Sequence, residues 1–234
     1  MVHRNLEAPG TQGQPDWAAL YRALGDDIPA ARPIFTGDVF EVAESGNNAP
    51  AVLVLQHPCA LRTNGVDLVR RLLTAEVHPS PSIPFSEWKG RYKQMPLPAL
   101  KSGDHFVARL NEPGLIESAS LDLGTRIATM SQLGVNLLLQ RWVHHNSRVI
   151  VPTFEFQAVT EAQYEEADLV EYWCEDLAAT ETDIPVESAA AHAWLRSSSS
   201  TEGRSWQDLL EDAQTRGVVR VAMRKRIREI QATR

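Results

Sequence analysis

Two residues that could do chemistry together, His57 and Cys59, stand on either side of a proline in the stretch AVLVLQHPCALR. A cysteine becomes a nucleophile when a nearby base or cation lowers its pKa from about 8.5. His57 could be that base, with Arg141 and His144 from a later helix completing the group. This pattern gives one hypothesis for the function, a divergent nuclease or a cysteine-dependent hydrolase.

The same stretch also has a purely structural interpretation. Residues 51–56 form an apolar run without alternation, which is typical of a strand covered on both faces and therefore central in its sheet. Pro58 has no backbone N–H and would end that strand. Cys59 is then a small residue just past the strand. Because no signature of a known cysteine hydrolase surrounds it, the sequence favours this second interpretation.

The histidines and cysteines could also hold a metal, with His57 and Cys59 joined by His78 or by His144 and His145. Structural zinc sites are usually marked by paired ligands such as CxxC or HxxxH, and the sequence contains neither. Phosphate-binding, dinucleotide-binding, zinc-protease and serine-hydrolase motifs are absent as well. The sequence therefore predicts no metal and no cofactor, and it favours a protein that is not an enzyme.

Charge is segregated in the last third of the chain, although the formal net charge is only −7. Residues 160–188 contain ten acidic side chains and no Lys or Arg, whereas residues 216–234 contain seven basic side chains and one Glu. Since the average is acidic, only the C-terminal segment could offer a basic surface to nucleic acid.

The basic residues of this segment form a row at helical spacing. A predicted binding surface consists of Arg220, Arg224, Lys225 and Arg228. The alternative is that the row is solvated, or that it pairs with the acidic helix around residues 161–176 in the same chain or in a second copy. No aromatic residue interrupts the basic run, which favours the alternative.

The hydrophobic pattern predicts α+β structure around these residues. We expect a short helix in PDWAALYRALGDD, a β-hairpin whose second strand is residues 51–56, and a strand over residues 71–77. A second hairpin should turn at NEPG, residues 111–114. Ser131 should cap a core helix that ends near the two adjacent histidines, and Thr160 should cap an amphipathic helix with an acidic face.

These elements predict an α+β protein with a β-rich body, a core helix and a helical C-terminal region. The predicted organisation is a mobile leader over residues 1–14, a β-rich barrel domain with an N-terminal helix over residues 15–155, and a helical region over residues 156–234. No apolar run is long enough to cross a bilayer, and the two cysteines fit a reducing compartment. We therefore expect a cytoplasmic protein.

The segments RPIFTGDVFEV and APAVLVLQ resemble the start of PemK/MazF-like proteins, which are small SH3-like barrels found in toxin–antitoxin systems. Gly37, Asp38 and Val39 match the first strand of that pattern, and residues 50–54 match the second. The later SRVIVP also looks like barrel proteins associated with phage defence. The departure is Ala49, which stands where PemK-like ribonucleases carry their active-site arginine, and alanine cannot stabilise a charged phosphoryl transition state.

The resemblance therefore implies that the β-rich body is a partly open SH3-like β-barrel, and it implies this fold rather than RNA cleavage. Taken together, the sequence predicts a bacterial binding or adaptor protein, associated with toxin–antitoxin or phage-defence systems. It would engage a protein partner, a second copy of itself or a nucleic acid through its C-terminal helices.

Overall fold

A computed structural model of the chain describes residues 5–11, 14–42, 51–199 and 203–234. The chain divides into two compact units. The barrel unit comprises residues 1–28, 34–63 and 68–159, and the helical unit comprises residues 29–33, 64–67 and 160–234. The main division falls inside a helix, a few residues beyond the predicted boundary of 155 and 156.

Within the described residues the chain forms nine strands and four α-helices. The strands are β1 Gly10–Thr11, β2 Gln14–Pro15, β3 Tyr21–Leu24, β4 Val39–Glu41, β5 Ala51–Val54, β6 Arg71–Pro79, β7 Gln94–Lys101, β8 Asp104–Glu117 and β9 Arg126–Met130. The helices are α1 Gln132–Ser147, α2 Thr153–Leu177, α3 Ile184–Arg196 and α4 Arg216–Gln231.

Seven strands form one antiparallel sheet in the order β3-β9-β4-β5-β6-β8-β7, which curls into a nearly closed barrel. Strands β4 and β5 pair as the predicted hairpin, with Val39 opposite Leu53, and their connection, residues 43–50, lies outside the described residues. Strand β5 also pairs with β6 and is therefore central, as expected. The α+β class and the partly open SH3-like barrel with a core helix and a helical C-terminal region are confirmed.

The N-terminal segment differs from the prediction. Instead of a helix, residues 18–20 form a single 3₁₀ turn that leads into β3, which pairs with β9. The apolar spacing that suggested a helix also suits a turn followed by a strand, and pairing with a distant strand outweighs the weak local preference. Within the predicted leader, Leu6 is buried and Gly10 pairs with Pro15.

The predicted turn at NEPG is also wrong, because β8 runs without a break from Asp104 to Glu117. Pro113 lies inside the strand, opposite Ala75 of β6. Strand β7 pairs with β8 only as far as Arg109, so the second half of β8 is an edge on that side. A proline that lacks the N–H is tolerated at such an edge.

Helix α1 closes the barrel unit, and it forms where the sequence predicts. The Ser131 hydroxyl accepts a hydrogen bond from the Gly134 N–H at 3.1 Å, which satisfies one of the free donors at the helix start. Residues 134–141 are all buried, and the helix contacts β7, β8 and β9. This is the core helix of the barrel.

Helix α2 begins at Thr153 rather than at the predicted cap Thr160, which lies buried inside the helix. The cap comes from far away in the sequence. The Glu7 carboxylate accepts a hydrogen bond from the Thr153 N–H at 3.0 Å and another from its hydroxyl at 2.6 Å. An acidic side chain at this position also complements the helix dipole.

The helical unit is held together by one apolar core. The predicted stripe on α2 is buried here, including Val170, Trp173 and Cys174, and it packs with Leu195 of α3 and Met223 of α4. The fully buried Arg32 pairs with Asp168 and Glu171 of α2. Tertiary packing therefore stabilises helices whose termini carry few local caps.

Candidate functional site

The structure brings His57 and Cys59 together in a 3₁₀ turn, residues 58–60, just after β5. His57 Nδ1 lies 2.9 Å from Cys59 Sγ and 3.3 Å from the Cys59 backbone N–H, from which it accepts a hydrogen bond. Gln56 ties the turn to the sheet, because its amide donates to the Ala60 carbonyl and its oxygen accepts from the Leu73 N–H. The imidazole thus acts as the cap of this turn.

This capping role limits what the pair can do chemically. A thiolate–imidazolium pair needs a protonated His57, yet Nδ1 is already the acceptor of a backbone N–H. Partial burial also lowers the pKa of His57, which favours the neutral imidazole near pH 7. The geometry fits a thiol that donates to a capping histidine better than it fits an activated nucleophile.

The other two residues of the enzyme hypothesis lie elsewhere. Arg141 is fully buried in α1, where it donates to the carbonyls of Leu137 and Glu7 at 3.2 and 2.7 Å and stacks over the ring of Trp88. Burial lowers the pKa of Arg141 to about 9. His144 contacts the ring of Tyr92. In the described part of the chain, no hydrogen bond or ring contact joins Arg141 or His144 to Cys59.

The Gly37-Asp38 element is structural. Asp38 Oδ2 accepts from the Phe35 N–H at 3.0 Å and from Arg126 of β9 at 3.1 Å, and both charged side chains are almost completely buried. Gly37 has a φ of +89°, and a Cβ there would meet the Met130 side chain at less than 3 Å. Gly37 and Asp38, which resemble part of a PemK-like strand, therefore form a turn and a buried ion pair inside the barrel.

The basic row of α4 is partly neutralised inside the helical unit. Arg220 binds Glu165 of α2 through two nitrogens, and Arg216 binds Glu161 at 2.6 Å. Arg224 lies over the ring of Tyr172. Lys225 and Arg228 of the predicted binding surface stay exposed, so the pairing of the basic and acidic helices within one chain takes up only part of the row.

A second polar site lies on the barrel unit around Tyr92. A surface groove of about 490 Å³ is lined by Arg91, Tyr92, Lys93, Arg109, Asn111 and Glu112. We call it the Tyr92 groove. Tyr92 is 38% exposed, the Arg148 guanidinium lies over its ring 5.4 Å from the ring centre, and the His144 ring is perpendicular to it with the two ring centres 5.7 Å apart. The C-terminal end of α1 thus adjoins the groove.

The end of α1 beside this groove is electropositive. Partial burial and then the charges of Arg148, Lys93 and His144 lower the pKa of His145. The Nδ1 atoms of His144 and His145 are buried and have no hydrogen-bond partner among the described residues. The positive charges of Arg148 and Lys93 at this end of the helix attract an anion.

Arg148 occupies a backbone position that usually belongs to glycine. It terminates α1 with a φ of +60°, and its N–H donates to the His144 carbonyl at 2.9 Å. A non-glycine residue in this left-handed conformation costs about 1 kcal/mol. In this conformation the Arg148 side chain lies over the ring of Tyr92.

Arg141 and His144, which the enzyme hypothesis groups together, are separated in the structure. Arg141 belongs to the core, His144 and Arg148 contact the ring of Tyr92, and His145 stacks on Trp142. Tyr92 and Lys93 are not among the site residues predicted from the sequence, and they lie between a 3₁₀ turn, residues 85–90, and β7. The alternation of basic and aromatic residues in KGRYK is the signal that could have revealed them.

No protein-family model matches the chain, and no curated protein matches it significantly. The PemK/MazF-like resemblance therefore stays a prediction, and Ala49, on which its departure depends, lies outside the described residues. Among the described residues, no helix is both long enough and apolar enough to cross a membrane. The site must be interpreted from its own geometry.

Proposed function

We propose that this protein is a binding protein rather than an enzyme, and that its barrel holds single-stranded nucleic acid in the Tyr92 groove. The observation that carries the proposal is an exposed aromatic ring in an electropositive groove, with Arg148 and Lys93 beside it. Proteins that bind single strands combine these two features, since bases stack on aromatic rings and cations follow the phosphates.

The cationic side chains around the groove differ in whether a salt bridge partly neutralises them. Arg91 pairs with Glu87 at 2.5 Å and Arg109 pairs with Glu112 at 3.0 Å, so both are partly neutralised. Lys93 and Arg148 form no salt bridge among the described residues, although each affects the pKa of His145. These two cations are the natural contacts for phosphates.

The proposal is tested by fluorescence anisotropy with a labelled oligothymidylate and oligouridylate of about 12 nucleotides, the upper part of the range for one binding fold. We expect the double variant Lys93→Glu and Arg148→Glu to bind at least about tenfold more weakly. The slope of log K against log salt should also fall in magnitude by about 1.4, because each lost phosphate contact removes about 0.7. Tyr92→Ala should weaken binding with little change in that slope.

The matched control is Lys225→Glu with Arg228→Glu in α4, which makes the same change in charge on the surface predicted from the sequence. The proposal requires this control to bind as the unchanged chain does. If only the α4 variant loses binding, the C-terminal helices are the binding surface. If neither oligonucleotide binds the unchanged chain, the proposal fails.

The distance of 2.9 Å between His57 and Cys59 keeps a cysteine-dependent hydrolase as the second candidate. Alkylation by iodoacetamide at about pH 7, read by mass spectrometry, distinguishes the binding protein from the cysteine-dependent hydrolase. Cys59 is exposed, so it should be labelled in the folded protein, whereas burial raises the pKa of Cys174 to about 11 and should protect it until unfolding.

The deciding comparison is His57→Gln. If His57 is a cap, this variant should label Cys59 within about twofold of the original rate. If His57 activates the thiol, labelling should slow by at least about tenfold, as expected for loss of the base that generates the thiolate.

A role in toxin–antitoxin or phage-defence systems would suit a protein that holds nucleic acid without cleaving it. That context, and a location in a bacterial cytoplasm, are implied only by the resemblance and by composition. A protein partner or a second copy bound through the exposed part of α4 would make such a protein an adaptor.

A further inference from the structure

Two carboxylates and one imidazole converge on the outer face of the barrel, beside the Tyr92 groove. One ligand atom each from Glu76, His78 and Glu112 lies within 4.8 Å of the other two. His78 Nε2 is already 2.9 Å from Glu76 Oε2. Glu112 also lines the groove, which leaves open space next to the three side chains.

The backbone explains why these side chains meet. Glu76 and His78 are two residues apart on β6, so they point to the same face of the sheet, whereas Val77 between them points into the core. Val77 pairs with Ala108 and Ala75 pairs with Pro113, which leaves residues 109–112 of β8 bulged opposite Glu76. Such bulges redirect side chains, and this one brings Glu112 to the other two.

We infer that Glu76, His78 and Glu112 form a binding site for a borderline divalent transition-metal cation of the Zn²⁺ class. The donor set points to this class, since an imidazole selects for zinc and its neighbours over calcium and magnesium, and carboxylates complete the ligand set. Ligand atoms around tetrahedral zinc lie about 3.3 Å apart, so a small movement of the Glu112 side chain closes the site.

Exposure of the three side chains leaves room for water or a ligand at the fourth position. The side chains of His78 and Glu76 are 29% and 52% exposed. Glu112 now binds Arg109 and Asn111 at 3.0 and 3.2 Å, and those contacts hold its carboxylate in place beside the other ligands. Three protein ligands with an open position are typical of zinc sites that do chemistry or bind a further ligand. The inference does not depend on nucleic-acid binding.

The test is isothermal titration of the full chain, freed of metal by chelator and dialysis, with Zn²⁺ as chloride. We expect one strong site per chain. Separate variants Glu76→Gln, His78→Gln and Glu112→Gln should each weaken binding at least about tenfold, the loss seen on removal of important site residues. Circular dichroism should show that these surface variants remain folded.

Two variants serve as matched controls. Glu87→Gln removes an exposed carboxylate that pairs with the neighbouring Arg91, and His105→Gln removes a histidine of β8 outside the cluster. Both should bind Zn²⁺ within about twofold of the unchanged chain. The inference is overturned if no strong site appears, if the three ligand variants bind normally, or if the controls lose as much affinity. It is also overturned if Mg²⁺ or Ca²⁺ binds as tightly as Zn²⁺.

Discussion

Asp38 shows how a single residue can look functional in sequence and prove structural. A Gly-Asp pair at the entry to a strand suggests either a catalytic carboxylate or a turn, and the sequence favours the turn. The turn is present, since Asp38 accepts from the Phe35 N–H. What no local pattern reveals is Arg126, which lies 88 residues away and neutralises Asp38 inside the barrel.

This buried pair gives a prediction for stability. Asp38→Asn keeps the acceptor for Phe35 but removes the buried carboxylate charge that faces Arg126, so unfolding should become easier by about 3–5 kcal/mol. Glu41→Gln is the control, because its pair with Lys101 is exposed and should contribute at most about 1 kcal/mol. Urea denaturation followed by circular dichroism measures both. Equal losses for the two variants would mean that the buried pair contributes no more than the surface one.

Helices and strands are predicted correctly where neighbouring residues determine them. The prediction fails where a residue distant in the sequence determines them. Helix α1 has its own cap at Ser131 and a continuous apolar face, and both are visible in the sequence. Helix α2 starts seven residues earlier than expected because its cap is Glu7, which is distant in sequence. The prediction of a helix is wrong at β3, because β3 pairs with β9, which lies more than a hundred residues away in the sequence.

The junction between α1 and β3 can be tested through one glycine. A Cβ at Gly134 would lie 2.2 Å from the Leu20 carbonyl oxygen, which already accepts from the Ser131 N–H. Gly134→Ala should therefore destabilise the protein by about 1–3 kcal/mol, although alanine is the better helix former.

Gly217 near the start of α4 is the matched control, because a Cβ there meets nothing within 4 Å. Gly217→Ala should stabilise the protein by about 0.4–1 kcal/mol, since it reduces the freedom of the unfolded chain. Thermal unfolding of both variants makes the comparison. A stabilising Gly134→Ala would show that α1 can move away from Leu20 without loss.

For the whole molecule, the hydrophobic pattern predicts the division into a β-rich part and a helical part. The positions of the charged residues predict where charge accumulates. The acidic and basic segments are plain in the sequence, and their pairing through Glu165 and Arg220 was one of the alternatives it offered. The Tyr92 groove could not be predicted from the sequence. The residues that line it come from the segment just before β7 and from β8, with Arg148 at the end of α1 over the Tyr92 ring, and only the folded chain brings these segments together.

The strand order has a consequence for how the protein is made. Strand β3 leaves the ribosome before its partner β9, which is synthesised about a hundred residues later. At roughly 5–20 residues per second, this edge of the barrel waits about 5–20 s for its neighbour. During that time Leu20, which is fully buried in the finished barrel, has no β9 to cover it. Of the seven strands of the large sheet, β3 is thus made first, and it can pair only after β9, the last of them, has been synthesised.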